Sequence, residues 1–304
     1  MKRDFLAITD FSAGEVRETF DLAMDLKNKL RRGEPHHLLE GQTLAMIFQK
    51  PSARTRVSFE VGMYQLGGHA LYLSPADIGL GKRETAADVA RVFSRYCDGI
   101  MARLFGHDLI EKLAAFSAVP VINGLTDLLH PCQVMGDMLT ILEHRRNLDD
   151  LQVTYVGDGN NMAHSWMNMA SRIPMHLHIA CPEGYDPNKK LVQAANKSSF
   201  STVKIFRDPM EAVKGSDVIY TDVWASMGQE KEAKIRKKAF RGYQVDQAMV
   251  NQARSGVLVM HCLPAHRGEE IAEEVLEGPN AIVFDEAENR LHIQKAIMVK
   301  LMQR

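Results

Sequence analysis

Thr43-Leu44-Ala45-Met46-Ile47-Phe48, followed across Gln49-Lys50 by Pro51-Ser52-Ala53-Arg54-Thr55-Arg56, decides how this chain folds. The first six residues form a largely apolar run of strand length. Beyond the arginines, Val57, Val61 and Tyr64, with Phe59, Met63 and Leu66, recur at helical spacing. A buried strand therefore turns into a helix here, with Ser52 as the expected N-cap. A capping box would want Glu or Gln where Thr55 stands, so first-turn N–H groups remain for an outside acceptor. Arg54 and Arg56 oppose the helix dipole unless an anion offsets them, which points to a phosphate-type site. The plainer alternative is a solvated basic first turn.

The same strand-then-helix alternation runs through the whole chain and predicts an α/β fold with parallel sheets covered on both faces. Strands are expected near 43–48, 69–73, 99–103 and 119–122, then near 153–156, 176–181, 203–206, 217–222, 257–261 and 281–284. Helices are expected over Ala13–Leu30, Ala86–Tyr96, Leu109–Phe116 and Met162–Arg172. Pro131 to His144 reads as a long amphipathic segment running into the polar stretch Arg145–Asp150, which suits a domain boundary. The 304 residues suffice for two domains, 1–147 and 148–286, with Ala287 to Met302 helical and 287–304 packing back on the first.

Lys+Arg of 37 against Asp+Glu of 38 leaves no broad basic surface, so neither nucleic acid nor a membrane is an expected partner. The N-terminal residues lack an apolar h-region, so no secretory or transit peptide is expected, and no run reaches membrane-spanning length. Cys97, Cys132, Cys181 and Cys262 lack C-x-x-C spacing and read as reduced cytosolic thiols, which predicts a cytoplasmic protein.

In open α/β sheets, ligands collect beyond the carboxyl ends of the strands, so the residues after each strand carry the chemistry. The third strand ends in Arg103. The fourth leads through Asn123–Asp127 to His130-Pro131-Cys132-Gln133, with Pro131 suited to the first helical position. The fifth leads to Gly157-Asp158-Gly159-Asn160-Asn161, the eighth to Asp222-Val223-Trp224-Ala225-Ser226-Met227-Gly228, and the ninth ends in His261-Cys262-Leu263-Pro264. Arg290 is expected in the first turn of the last helix, again against the dipole. Convergence of Arg54, Arg56, Arg103 and Arg290 would suit a small dianion. His130, taken alone, fits a structural histidine, but its place after a strand with Gln133 one turn on favours a site. Gly157-Asp158-Gly159 is a weak dinucleotide signal, since Met162 replaces the third glycine and no acid ends the next strand. Cys262 is poorly placed for a dyad with His261, because neighbours on a strand face opposite ways.

Taken together, these motifs resemble the aspartate/ornithine carbamoyltransferase family over essentially the whole chain, and within it the ornithine-using branch. Ser52–Arg56 is similar to S-T-R-T-R, His130–Gln133 to H-P-x-Q, Asp222–Gly228 to D-x-W-x-S-M-G, and His261–Pro264 to H-C-L-P. The resemblance implies two domains joined by interdomain helices, a homotrimer with active sites near subunit interfaces, no metal and no organic cofactor. It implies carbamoyl transfer from carbamoyl phosphate to the δ-amine of L-ornithine, giving L-citrulline and phosphate. On the same basis Ser52, Ala53, Arg54, Thr55 and Arg103 hold the phosphate. His130, Gln133, Cys262, Leu263 and Arg290 surround the carbamoyl group, with Arg103, His130, Cys262 and Arg290 catalytic. Asn161, Asp222, Ser226 and Met227 hold ornithine.

Two positions depart from the family pattern: Ala53 replaces the usual threonine, and Gly79 stands where many relatives place a glutamine that reaches a neighbouring subunit, a role left to Lys82 or Arg83. The competing readings are transfer to aspartate, putrescine or acetylornithine, against which Asp222 and Ser-Met-Gly argue, and a non-catalytic carbamoyl phosphate sensor. Against the sensor stands the joint presence of Arg103 and His130, since simple binding has no need to polarise a carbonyl.

Overall fold

In the computed structural model, which describes residues 2–81, 83–225 and 230–303, strands and helices alternate along the chain. The strands are β1 (Thr43–Phe48), β2 (His69–Leu73), β3 (Gly99–Arg103), β4 (Val121–Leu125), β5 (Gln152–Val156), β6 (His176–Ala180), β7 (Thr202–Phe206), β8 (Val218–Thr221) and β9 (Leu258–His261). They form two all-parallel sheets, ordered β2-β1-β3-β4 and β7-β6-β5-β8-β9. The chain divides into two compact units, Met1–Leu139 with Glu288–Arg304, and Thr140–Ala287. The first crossing falls inside the helix Pro131–Arg145, ahead of the polar stretch, and the return falls inside the helix Val283–Met302.

In the first unit, β3 and β4 are buried at every residue and β1 at all but its first, as expected for strands covered on both faces. β2, one of the two edge strands, is only partly covered. Ala45, Ile47, Ile100 and Ala102 pack with Val89, Ile110 and Leu113 into one core. Since β1 continues to β2 on one side while β3 lies on the other, the order reverses between β1 and β3, whose ends Phe48 and Arg103 are in register. That reversal is where a doubly wound sheet opens a crevice.

The second unit repeats the arrangement. Its sheet reverses between β5 and β8, where Val156 and Thr221 pair in register, and the residues after them are Gly157 and Asp222. Val156, Ile219 and Val259 build its core with Phe240, Val245, Met249 and Val275.

Three expectations need correction. The apolar run 281–284 is not a strand: Ala281 makes a single bridge to Val259, and the last helix already begins at Val283, closing its first turn around Asp285 and Glu286. Arg290 consequently sits in the third turn of that helix, so its charge does not oppose the N-terminal dipole. The fourth strand runs to Leu125 and takes in Asn123 and Gly124, so the loop before His130 is shorter than expected.

The second glycine after β5, Gly159, is explained by packing. A Cβ on Gly159 would lie 2.3 Å from Pro187 N and 2.5 Å from Asp186 C, both immobile backbone atoms. Asp158 of the same turn is engaged by Arg236, whose Nη1 donates to Oδ2 at 2.7 Å. The turn therefore serves close chain approach, which removes the basis for the dinucleotide reading. Gly159→Ala is expected to destabilise the protein by about 1–3 kcal/mol, the usual cost of overpacking, read as a lowered midpoint in urea unfolding.

Candidate active site

The helix Ala53–Gln65 starts as its sequence demands. Ser52 is extended at φ −160°, and its Oγ accepts from Thr55 N at 3.3 Å. Thr55 is fully buried, and its Oγ1 is the meeting point of the site. Arg103 Nη1, from the end of β3, donates to it at 3.3 Å, and Arg290 Nη2 donates at 3.2 Å. Both arginines are only 5% exposed. Arg290 Nη1 also donates to Gln133 Oε1 at 2.7 Å, and Gln133 Nε2 donates to Asp137 Oδ1 at 2.8 Å. Two buried guanidiniums thus meet at one hydroxyl, concentrating positive charge of the kind that suits a small anion.

His130 is buried directly ahead of the helix that begins at Pro131. Burial, reinforced by the charges of Arg290 and Arg103, holds its pKa well below the ordinary imidazole value. The ring is therefore neutral near pH 7, a hydrogen-bond donor without net charge. Arg54 and Ala53 are exposed on the first turn, while Arg56 turns away: its Nε donates to Glu60 Oε1 at 3.0 Å and its guanidinium lies 4.0 Å from the Tyr72 ring centroid. Arg56 thus leaves the expected four-arginine cluster because an i,i+4 acid and an aromatic face satisfy it locally. Gly79 has a local cause too: it caps the short helix Pro75–Ile78 in the left-handed region at φ +59°. Arg83 N donates to its carbonyl at 2.8 Å, and Lys82 lies outside the described residues.

In the second unit, Asp222 follows β8 and is held on both oxygens. Oδ1 accepts from Val223 N at 2.8 Å and from Cys262 Sγ at 3.1 Å, and Oδ2 accepts from Asn160 Nδ2 at 3.2 Å. Asn160 caps the helix Asn161–Ala170, accepting from Met162 N at 2.9 Å and from the buried Tyr155 hydroxyl at 3.1 Å. Asn161 is half-buried at the first position of that helix. Cys262 thus faces Asp222, whereas the His261 ring is turned elsewhere: Nε2 donates to Glu270 Oε1 at 3.0 Å and Nδ1 accepts from Leu263 N at 2.9 Å. A Cys–His dyad is accordingly not formed. Leu263 is left-handed at φ +54°, an uncommon conformation for a residue with a side chain and one that concentrates at functional turns. Ser226 and Met227 lie outside the described residues.

Residues 3–143 match the carbamoyl-P binding domain of the aspartate/ornithine carbamoyltransferases, and residues 149–301 match the Asp/Orn binding domain of the same family. The chain belongs to the aspartate/ornithine carbamoyltransferase family. It is 54% identical to the ornithine carbamoyltransferase of Syntrophus aciditrophicus over 298 residues, covering 98% of this chain and 99% of that one. It is 52% identical to the chloroplastic ornithine carbamoyltransferase of Pisum sativum, covering 99% of this chain and 80% of the relative. The solved ornithine carbamoyltransferase of Pyrococcus furiosus superposes with a TM-score of 0.96 at 51% identity, covering 99% of this chain and 97% of that one.

For a carbamoyltransferase, the residues that sequence reasoning missed are those supporting the motifs. Asp137 fixes the Gln133 amide from i+4 on a helix buried along its first three turns, so the spacing held a signal. Arg236 is 7% exposed and donates from Nη1 to both Asp158 and the Trp224 carbonyl, the latter at 3.0 Å, tying the turn after β5 to the chain just ahead of Ser226. Nothing in the basic run Lys234–Lys238 marks that arginine as buried. Glu270 and Glu286, 0% and 1% exposed, hold His261 through its ring and its backbone N–H respectively.

Proposed function

We propose that the protein transfers the carbamoyl group of carbamoyl phosphate to the δ-amine of L-ornithine, releasing L-citrulline and phosphate. The observation that carries this reading is the convergence of Arg103 and Arg290 on the Thr55 hydroxyl, at a helix N-terminus beside a neutral His130. The phosphate oxygens take the donors now pointing at Thr55, together with Ser52, the first-turn N–H groups and the exposed Arg54. As the amine attacks, the carbonyl oxygen gains negative charge, and Arg103 and the His130 N–H stabilise it. The C–O bond to phosphate then breaks, a proton of the attacking nitrogen passes to the departing phosphate, and the arginines hold the resulting hydrogen phosphate dianion. Phosphate is already a good leaving group, so positioning and charge stabilisation suffice without a covalent enzyme intermediate.

Asp222 takes the α-ammonium of ornithine. Its carboxylate is fixed by three donors and stands at the sheet reversal of the second unit. Asn161 and the Ser226-Met227-Gly228 segment meet the carboxylate end, and Cys262 and Leu263 act on the carbamoyl side, as in the motifs they match. Keeping the acid at the α end matters, since a carboxylate beside the δ-amine would favour its unreactive ammonium form. The protein works as a cytoplasmic homotrimer. In support, its four cysteines are free, and Val57, Tyr64 and Leu71 stand exposed on the helix Ala53–Gln65 and the edge strand β2. No helix among the described residues is long and apolar enough to cross a membrane.

A colorimetric citrulline assay tests the reaction. Citrulline and phosphate should form in equal amounts only when both substrates are present. Tight carbamoyl phosphate binding with no citrulline would leave a sensor, and light scattering on the same sample should give three chain masses.

A further inference from the structure

Among the described residues, two groups bring three metal-ligating side chains together, with ligand atoms within 4.8 Å of one another: Asp222 with His261 and Cys262, and His266 with Glu269 and Glu270. The first group is closed to a cation. Both nitrogens of His261 are already bonded, one to Glu270 and one to the Leu263 N–H, and Asp222 holds three donors.

The second group is different. Glu270 is 0% exposed, and its Oε1 accepts from His261 Nε2 and from His266 N, the latter at 2.6 Å. Its Oε2 is buried with no hydrogen-bond partner among the described residues, and it faces His266 Nδ1 at 3.9 Å. A carboxylate oxygen shut away from both water and donors is costly, and a cation is its natural complement.

The surrounding chain builds the group into a fixed turn. Gly268, left-handed at φ +83°, donates its N–H to Ile271 O at 2.9 Å, and Glu269 N donates to His266 O at 2.9 Å. Val245 N holds the Glu270 carbonyl at 2.9 Å. Two neighbouring cations do not fill the buried oxygen's need. Arg267 turns outward to Glu277 at 2.6 Å and Glu273 at 3.7 Å. Lys237 pairs with Glu269 Oε1, at 2.9 Å, at the exposed surface.

We propose that His266, Glu269 and Glu270 bind a divalent transition metal of the zinc class, a site separate from carbamoyl transfer and not dependent on that reading. One imidazole with two carboxylates, completed by water, suits zinc or cobalt, with ligand distances of about 2.0–2.2 Å. Calcium would demand more oxygen ligands than the turn offers, and magnesium, which favours oxygen and water, would gain nothing from the imidazole. The exposed His266 can close the remaining gap by rotation, and Glu269, whose Oε1 pairs with Lys237 at the surface, has its second carboxylate oxygen to offer. A cation on Oε2 also withdraws electron density from Oε1, loosening its hold on His261 Nε2–H and, through that ring, on Leu263 N. The metal is therefore wired to the H-C-L-P turn by two hydrogen bonds.

Cobalt(II) titration of the full chain, followed by visible absorption with zinc displacement, tests the site. One equivalent should bind with a ligand-field band and without the intense near-ultraviolet thiolate-to-cobalt band. His266→Ala and Glu269→Gln should each weaken binding by about 100-fold or more, at least the loss expected for groups that merely support a metal ligand, whereas Cys262→Ser should leave it unchanged. The metal-free melting temperature of His266→Ala should equal that of the parent, since this side chain is exposed. A signal abolished by Cys262→Ser and unmoved by His266→Ala, or no saturable binding, overturns the proposal.

Discussion

Arg103→Met is expected to lower kcat/KM for carbamoyl phosphate by about 10³-fold, because one guanidinium serves both the phosphate and the carbonyl oxygen. Methionine keeps much of the volume, so the loss isolates charge and hydrogen bonding. Arg290→Met should show a loss of the same order. The double variant should lose less than the product of the two, since both donate to Thr55 Oγ1 and depend on the same bound dianion. Each substitution also removes one of the two positive charges that depress the His130 pKa, so the imidazole should titrate closer to its ordinary value by NMR while burial still holds it low. The sign is fixed: His130 is neutral in the parent above its depressed pKa and takes up a proton at higher pH in either variant. Parental kcat/KM in Arg103→Met, with the fold intact, would remove Arg103 from the site.

Strands buried on both faces were legible because a continuous apolar run bounded by Pro, Gly and capping residues admits few other structures. The same logic failed at 281–284, where the apolar run leads into a long helix, burying Ile282 and Val283 but exposing Phe284, rather than forming a strand. That shift of the helix start by four residues is what misplaced Arg290. The placement of Ser52, Thr55, Arg103 and His130 at or after strand ends was legible, and that is where a parallel sheet concentrates chemistry. Arg56 carried the same local signature and yet belongs elsewhere, because Tyr72 on a neighbouring strand competes for it and no local pattern reports that contact. Glu270 and Arg236 were the least legible. Charged residues in sequence read as solvated, and only the tertiary fold shows that these two are buried supports.

Selectivity for the second substrate gives the largest expected effect. Ornithine and putrescine present the same reacting amine and differ at the far end, so discrimination must come from groups that read the α carbon. In the proposed pose Asp222 pairs with the α-ammonium, while Asn161 and the segment from Ser226 to Gly228 meet the carboxylate. Asp222 is 8% exposed and its rotamer is set by Val223 N, Asn160 and Cys262, so it cannot swing away to suit another ligand. A substrate lacking the carboxylate leaves polar groups of a closed site unpaired, a mismatch that costs about 10⁴-fold in kcat/KM. N-acetylornithine retains the carboxylate but loses the cation, stranding Asp222, and should also fall well below ornithine. Asp222→Asn should narrow the gap between ornithine and N-acetylornithine, because the neutral amide no longer demands a cation, while leaving putrescine poor. Measured with saturating carbamoyl phosphate, equal kcat/KM for ornithine and putrescine would sink the ornithine assignment and leave carbamoyl transfer standing, since the phosphate clamp of the first unit reads only the other substrate.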